Sequence, residues 1–521
     1  MLLLTLLLPL VGAGRGVAAP RPKLLVVITV DQLRPDYLER YRRQLTGGFR
    51  LLARRGAEFA DAYQDHAVTE TAPGHATILS GRWPAHTGIL RNDAGVQDST
   101  APLVAVSGPG ASPARFRGST LFDWLHSAEP QARAFSVSRK DRGAILQLGR
   151  ARQQVYWYQG GVFTTSRYYA DSLPEWVRAF NARRVPFRAA GTSWTLLLPA
   201  RDYPEPDSVP YENGGRDFTF PHRLPTDSGQ AATALAQVPT MDSLTLAFTL
   251  EGVRALQLGS RGVTDLLTVS LSTTDAVGHA FGPDSREIHD QVVRLDRYLG
   301  WFLQQLLVRY GAENLLIVLT ADHGVTPFPE RSRALGHAGA TRVIPDSVIR
   351  AANVALDARV GGADWLVFDT GVLLVGERAR LAARQVNVDS VVADVATRLR
   401  ALPGVMRVDR PAELARQDTT DAVVRRWRHA LPPDAGVELV VTLTPYSIWS
   451  SATSRLAQHG QPSDLDAHVP LIVWGRGVRP GRYRGRVNTV DIAPTLARLL
   501  QLTPAEPLDG RVLTEALEPR P

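Results

Sequence analysis

The chain is 521 residues long, 44% hydrophobic and 21% charged, with a formal net charge of +8 and no cysteine. That balance fits a large globular core and excludes a disordered or fibrous chain, and the missing cysteine excludes disulfides, thiolate metal sites and cysteine nucleophiles. The positive charge favours anionic substrates, but no run of five or six basic residues and no nucleic-acid motif is present, so no nucleic-acid partner is expected.

In chain order, residues 1–19 (MLLLTLLLPLVGAGRGVAA) carry an apolar core followed by small residues. This resembles an export signal, which predicts a periplasmic or secreted protein. No later segment offers about 18 uninterrupted apolar residues, so no membrane span is expected after signal removal. LLVVITV (24–30) is a short apolar run that ends at Asp31. TETAPGHATILSG (69–81) puts Thr71 two residues ahead of Pro73, which favours a helix start. Taken alone, Thr71 reads as an ordinary helix cap.

Among 59 basic residues only Lys23 and Lys140 are lysines. Lys140 stands in SRKDRGA beside Arg142. Residues about 150–230 are rich in aromatics, Pro and Gly, and read as a substrate-facing cap or inserted segment. DLLTVSLSTT (265–274) ends at Asp275, and LLIVLT (315–320) leads to Asp322 and His323. Such runs, alternating with helical stretches such as Arg286 to Val308, predict buried parallel strands of an α/β sheet. Ligands bind beyond the carboxyl ends of such strands, so three acids there converge on one crevice. Residues about 336–440 mix both periodicities and read as a second insertion. PLIVWG (470–475) predicts one more core strand. The whole of 20–521 is expected to be a single catalytic domain carrying the two insertions.

Asp275-Ala-Val-Gly-His279 spaces an acid and an imidazole four apart, on one side of a helical turn. With Asp31, Asp322-His323 and His459-Gly460, this makes three carboxylates and three histidines, a set suited to zinc in nitrogen and oxygen coordination. Each pair is weak alone; together, at strand ends, they are specific.

VDQLRPDY, TETAPGHATILSG, TTDAVGHAFGP, TADHG and the late His459-Gly460 resemble, in order, the alkaline phosphatase superfamily. The likeness is closest to the PafA-type alkaline phosphatases with a threonine nucleophile, which are related to the nucleotide pyrophosphatase/phosphodiesterases. The resemblance implies a mixed, mostly parallel sheet sandwiched by helices, with inserted cap segments. It implies two Zn2+ ions, one held by Asp31, Thr71, Asp322 and His323, the other by Asp275, His279 and His459. Thr71 is then the nucleophile of a monomeric phosphatase acting on small phosphate monoesters, through a phosphothreonine intermediate. Asn92, Lys140 and Arg142 look like the phosphate-binding set of that group.

The alternative within the superfamily is a phosphodiesterase or nucleotide pyrophosphatase using the same two-zinc site. Diesterases usually lack the Lys-x-Arg pair, so the monoester reading comes first. A sulfatase would need a Cys or Ser precursor in place of Thr71, and a phosphoglycerate mutase is disfavoured by the threonine and the export-like start. A catalytically silent zinc-binding protein is a remote alternative, since no nucleophile or ligand is missing.

Overall fold

The computed structural model describes residues 21–362, 365–451, 454 and 456–519. The expected signal, 1–19, lies outside the described residues. The first strands in chain order are β1 (Leu24–Val30), β2 (Ala57–Tyr63), β3 (Ala134–Ser138), β4 (Gln154–Gln159) and β5 (Val162–Thr164). A short pair, β6 (Ser193–Trp194) and β7 (His222–Arg223), precedes β8 (Asp265–Leu271), β9 (Leu315–Thr320) and β10 (Arg342–Val343). Then come β11 (Leu366–Asp369), β12 (Val372–Val375), β13 (Val405–Asp409), β14 (Val437–Leu443) and β15 (Ile448–Trp449). The last are β16 (His468–Gly475), β17 (Gly481–Tyr483) and β18 (Val487–Asn488).

The main sheet has the order β17-β2-β16-β9-β1-β8-β3-β4-β5, with β18 also paired to β2. Strands β9, β1, β8, β3 and β4 run parallel, whereas β16 is antiparallel to both β9 and β2. This is the mostly parallel α/β architecture expected from the sequence. Strand β1 is buried along its whole length, as a central parallel strand covered on both faces must be. Leu24, Val26, Ile28 and Val30 enter one core, while Leu25 and Val27 enter the other. The period of two therefore divides a continuous apolar run between two layers.

The long helix Arg286–Tyr310 covers the first face with Ile288, Val292, Leu299 and Phe302. Its start is capped by Ser285, whose hydroxyl oxygen accepts the Ile288 N–H at 3.1 Å. Helices Thr71–Ser80 and Ile492–Leu500 cover the second face. QVYWYQ, at the start of the aromatic stretch, pairs as β4 in the main sheet, and the hairpin partner β5 closes that edge.

A separate antiparallel sheet, β11-β12-β14-β13, rises between the ninth and sixteenth strands. Helices Asp346–Val360 and Val388–Arg400 pack on one of its faces, around Leu356, Trp365, Leu373, Val392, Leu399 and Val441. The other face meets helix Ala422–Ala430 through Val372, Val440 and Trp427, and this cluster takes in Ala67, Val68 and Leu90 of the main body. A charged knot lies beside it. The Asp65 carboxylate accepts from Arg425 at 2.7 Å, Arg426 at 3.0 Å and Arg486 at 3.1 Å. No helix among the described residues is long and apolar enough to cross a membrane.

Candidate active site and metal centre

The carboxyl ends of β9, β1 and β8 lie side by side, and each is followed by an acid: Asp322, Asp31 and, one helical turn on, Asp275. Two groups of potential ligands result. In each, the three ligand atoms lie within 4.8 Å of one another: Asp31, Asp322 and His323 in one, Asp275, His279 and His459 in the other.

The imidazoles are oriented by backbone carbonyls. His279 Nδ1 pairs with Ala457 O at 2.6 Å, His459 Nδ1 with Thr69 O at 2.7 Å, and His323 Nδ1 with Gly324 O at 2.9 Å. These partners assign the proton to Nδ1 and leave each Nε2 lone pair facing its group. The Nε2 atoms of His279 and His459 stand 3.1 Å apart, and lie 3.2 and 3.7 Å from Asp275 Oδ1. His323 Nε2 is 3.4 Å from Asp31 Oδ1 and 3.7 Å from Asp322 Oδ2. All three of these last atoms are buried without a hydrogen bond. Buried, orphaned N and O donors converging on one point fit a divalent cation.

The electrostatics agree. Burial and the neighbouring Asp275 charge would raise the Asp31 carboxyl, but Lys140 and His323 hold it well below the usual carboxylate range. Burial likewise acts against ionised Asp275, yet Lys140 and His279 keep it low. Burial disfavours charge on His323, but Asp322, Asp31 and Asp275 push it up to about 9. Burial and the His323 charge push His459 down to about 3. The acids are ready to bind positive charge, and a cation would take the place of the proton on His323.

Thr71 opens helix Thr71–Ser80. The helix is driven hard against the β9 end: a Cβ on Gly74 would sit 2.2 Å from the Asp322 carbonyl oxygen. Only glycine permits that approach, which brings the Thr71 hydroxyl to the crevice. Lys140 follows β3 and lies between both groups. Its Nζ is 2.6 Å from Asp31 Oδ2 and 2.7 Å from Asp275 Oδ2, and it donates to Thr71 Oγ1 at 3.0 Å. Asn92 Oδ1 accepts the Ala72 N–H at 2.9 Å, so its amide NH2 is the end left for a substrate. Arg142 is partly exposed, with Nη1 3.6 Å from Asp141 Oδ1, and lines a cavity of about 800 Å³ together with Lys140, Asp275 and His279.

Three further residues, none of them assigned to the site from the sequence, brace this set. Gln32 donates its backbone N–H to Asp322 Oδ1 at 3.1 Å and its side-chain amide to Asp275 Oδ1 at 2.9 Å, so it ties one ligand group to the other. Glu70 accepts the Asn92 N–H at 2.7 Å and the Thr370 hydroxyl at 2.7 Å. His75 pairs Nδ1 with Thr71 O at 2.8 Å and Nε2 with Ser270 Oγ at 2.9 Å, and lies 3.1 Å from Asp322 Oδ2. Their only sequence signal is adjacency to motif residues.

Residues 25–411 match the family described as type I phosphodiesterase / nucleotide pyrophosphatase. Alkaline phosphatase PhoK of Sphingomonas sp is 32% identical over 529 residues, covering 96% of this chain and 92% of its own length. Alkaline phosphatase PafA of Elizabethkingia meningoseptica is 30% identical over 537 residues, covering 98% and 97%. The crystal structure of wild-type PafA superposes with a TM-score of 0.87 at 30% identity, over 96% of this chain and all of its own. A PafA variant with one threonine, one asparagine, one lysine and one arginine replaced also matches at 0.87, with 28% identity over 96% of this chain and 100% of the variant.

Proposed function

The chain belongs to the alkaline phosphatase superfamily, closely related to its PafA-type members, and is a metal-assisted phosphomonoesterase; on that premise we propose that two Zn2+ ions and a Thr71 nucleophile carry the reaction on small phosphate monoesters. Asp31, Asp322 and His323, with Thr71, hold one ion, and Asp275, His279 and His459 hold the other. The observation that carries the reading is the Thr71 hydroxyl 3.0 Å from the Lys140 ammonium, at a helix start flanked by both ligand groups.

When bound, zinc supplies Lewis acidity, favouring an ionised hydroxyl at neutral pH and offsetting charge on the departing oxygen. The chain supplies the rest. Lys140, Arg142 and the Asn92 amide bind the phosphoryl oxygens: a compact ammonium, a planar fork and a neutral donor. The positive end of helix Thr71–Ser80 adds to that attraction. Thr71 Oγ1 forms a bond to phosphorus as the ester P–O bond breaks, and the alcohol departs with a proton. Water then attacks the phosphothreonine, the Thr71 Oγ1–P bond breaks, Thr71 regains its proton and inorganic phosphate leaves. The replaced threonine, asparagine, lysine and arginine of the PafA variant are the same four residue types as Thr71, Asn92, Lys140 and Arg142. The reading includes a monomer, and the export-like residues 1–19 support a periplasmic or secreted enzyme.

The matched family also gives the diesterase reading a claim. A monoester dianion presents more charge than a diester, and the Lys140–Arg142 pair favours it. The test is kcat/KM for p-nitrophenyl phosphate against bis-p-nitrophenyl phosphate, before and after chelation. We expect a monoester preference that narrows in Lys140→Ala and Arg142→Ala, and activity that disappears with the metal. Thr71→Ala should lose roughly 10⁴-fold or more in kcat, the scale seen when a nucleophile is removed, and should leave no phosphorylated protein by intact-mass spectrometry. A diester preference in the wild type would overturn the monoester reading.

A further inference from the structure

Helix Thr273–Phe281 supplies two of the three ligand atoms of the second group, Asp275 from its first turn and His279 from its last. First turns fray unless their free N–H groups find acceptors, so Asp275 is the more easily displaced of the two. The helix does not cap itself. Ser272, at the N-cap position, makes no cap bond with its side chain, and its hydroxyl lies instead 3.5 Å from Ser138 Oγ. Asp275 stands where a capping box would place its acid, yet it is turned to Lys140 at 2.7 Å and to the Gln32 amide at 2.9 Å.

The acceptor comes from elsewhere in the chain. Asp242, in the first turn of helix Thr240–Ala255, is fully buried. Its Oδ1 accepts the Thr273 N–H at 3.2 Å and the Thr273 hydroxyl at 2.8 Å. Its Oδ2 accepts from the Gln291 amide at 2.8 Å, and that amide also donates to Thr274 Oγ1 at 3.2 Å. Gln291 belongs to helix Arg286–Tyr310, so three helices meet at one carboxylate. Beside the same helix start, Arg139 donates to the Ser272 carbonyl at 3.4 Å. Burial pushes the Asp242 carboxyl up to about 6, against the bonds from Thr273 and Gln291 and the charge of Arg139. It is therefore ionised at alkaline pH, and a negative charge favours a helix N-terminus.

We infer that Asp242 is a positioning residue of the second ligand group: it caps, from another helix, the helix that carries Asp275 and His279, and so sets the affinity for the ion held there. The inference rests on the two-ion reading above and deepens it. His279 is fixed at its own end by the Ala457 carbonyl, and His459 by the Thr69 carbonyl. Losing the cap therefore moves one ligand of three, Asp275, and leaves the other group of ligands in place.

The test titrates the zinc-loaded, full-length protein with a chromogenic chelator and reads the affinity for each ion. Wild type should release two ions. Asp242→Ala should weaken one of them by roughly 10- to 100-fold, the usual cost of losing an outer-shell partner, and leave the other unchanged. His459→Ala, which lacks a ligand of the second group, identifies which: the ion still held tightly there should be held equally tightly when Asp242→Ala is added. Asp242→Asn keeps an oxygen for both Thr273 bonds, and Gln291 can turn its unpartnered Oε1 to the new amide, so this variant should recover most of the lost affinity. A role in packing alone would weaken both ions, or leave Asn as weak as Ala; either result overturns the inference, as do two unchanged affinities in Asp242→Ala. At saturating zinc, the Thr273 amide should exchange with deuterium about fivefold faster or more in Asp242→Ala, on the scale of a lost cap, and stay slow in Asp242→Asn. Thr273→Val removes only the hydroxyl bond and serves if Asp242→Ala does not fold: it should weaken the same ion, and an unchanged affinity overturns the inference. Two ions in wild type with no effect of these variants sinks the Asp242 assignment alone, whereas fewer than two ions in wild type sinks the two-ion reading and the inference with it.

Discussion

Gln32 adopts a left-handed backbone, φ 64°, immediately after Asp31, a proposed metal ligand. For a residue with a side chain that conformation costs on the order of 1 kcal/mol or more, and the two hydrogen bonds it permits reach Asp322 and Asp275. Each bond uses one lone pair of an Oδ1 atom in the two proposed ligand groups. Gln32→Ala keeps the backbone bond and removes the bond to Asp275. Metal affinity should fall by roughly 10- to 100-fold, the usual cost of losing an outer-shell partner, in competition with a chromogenic zinc chelator. An unchanged affinity would show that Asp275 is held by its other neighbours. The contrast with the ligands explains what could be read beforehand. Asp31, Asp275 and Asp322 announce themselves because each terminates an apolar run. Gln32 and Glu70 do not, because their roles exist only once strands distant in sequence lie side by side. His75 was legible as a neighbour of Thr71, but the carbonyl and serine that fix its ring were not.

At the scale of elements, the helix Thr273–Phe281 must pass close to the turn after β1. A Cβ on Gly278 would lie 1.8 Å from Gln32 Oε1, so the glycine between Asp275 and His279 makes room for the amide that binds Asp275. Gly278→Ala should displace that amide and lower metal affinity. Combined with Gln32→Ala, its effect should be much less than additive, because the clash and the bond share one side chain; full additivity in the chelator competition would separate them. The strands at 24–30, 265–271, 315–320 and 470–475 were readable from their unbroken apolar runs. QVYWYQ was not readable as a strand of the main sheet: its aromatic composition matched a cap, yet its register with β3 makes it nearly an edge strand, where large flat side chains shield the margin of the core. His459 could be identified only through its motif, since the loop that carries it has no periodicity and is fixed by the Thr69 carbonyl.

Across the whole molecule, Asp65 joins the main body to helix Ala422–Ala430. Burial would raise its carboxyl, but the hydrogen bond from Arg425 and the charges of Arg426, Arg425 and His429 hold it at about 2, below the ordinary 3.8. A depressed folded-state value means stability that is present above the unfolded value and lost as pH falls through the folded one. The knot thus contributes about 2 kcal/mol above roughly pH 4 and nothing below roughly pH 2. Asp65→Asn should lower the urea midpoint at pH 7, and the gap from wild type should shrink between pH 4 and pH 2; a gap constant with pH would place the loss in packing instead.

The turn between β11 and β12 gives that junction a further meaning. Thr370, at its tip, donates to Glu70, and Glu70 in turn fixes the backbone of Asn92. The sheet behind the turn has its own core, so warming can part it from the main body before either core melts. Turnover should then fade at a temperature below the calorimetric transition and return on cooling, making the smaller sheet a thermal fuse for catalysis rather than a passenger on it.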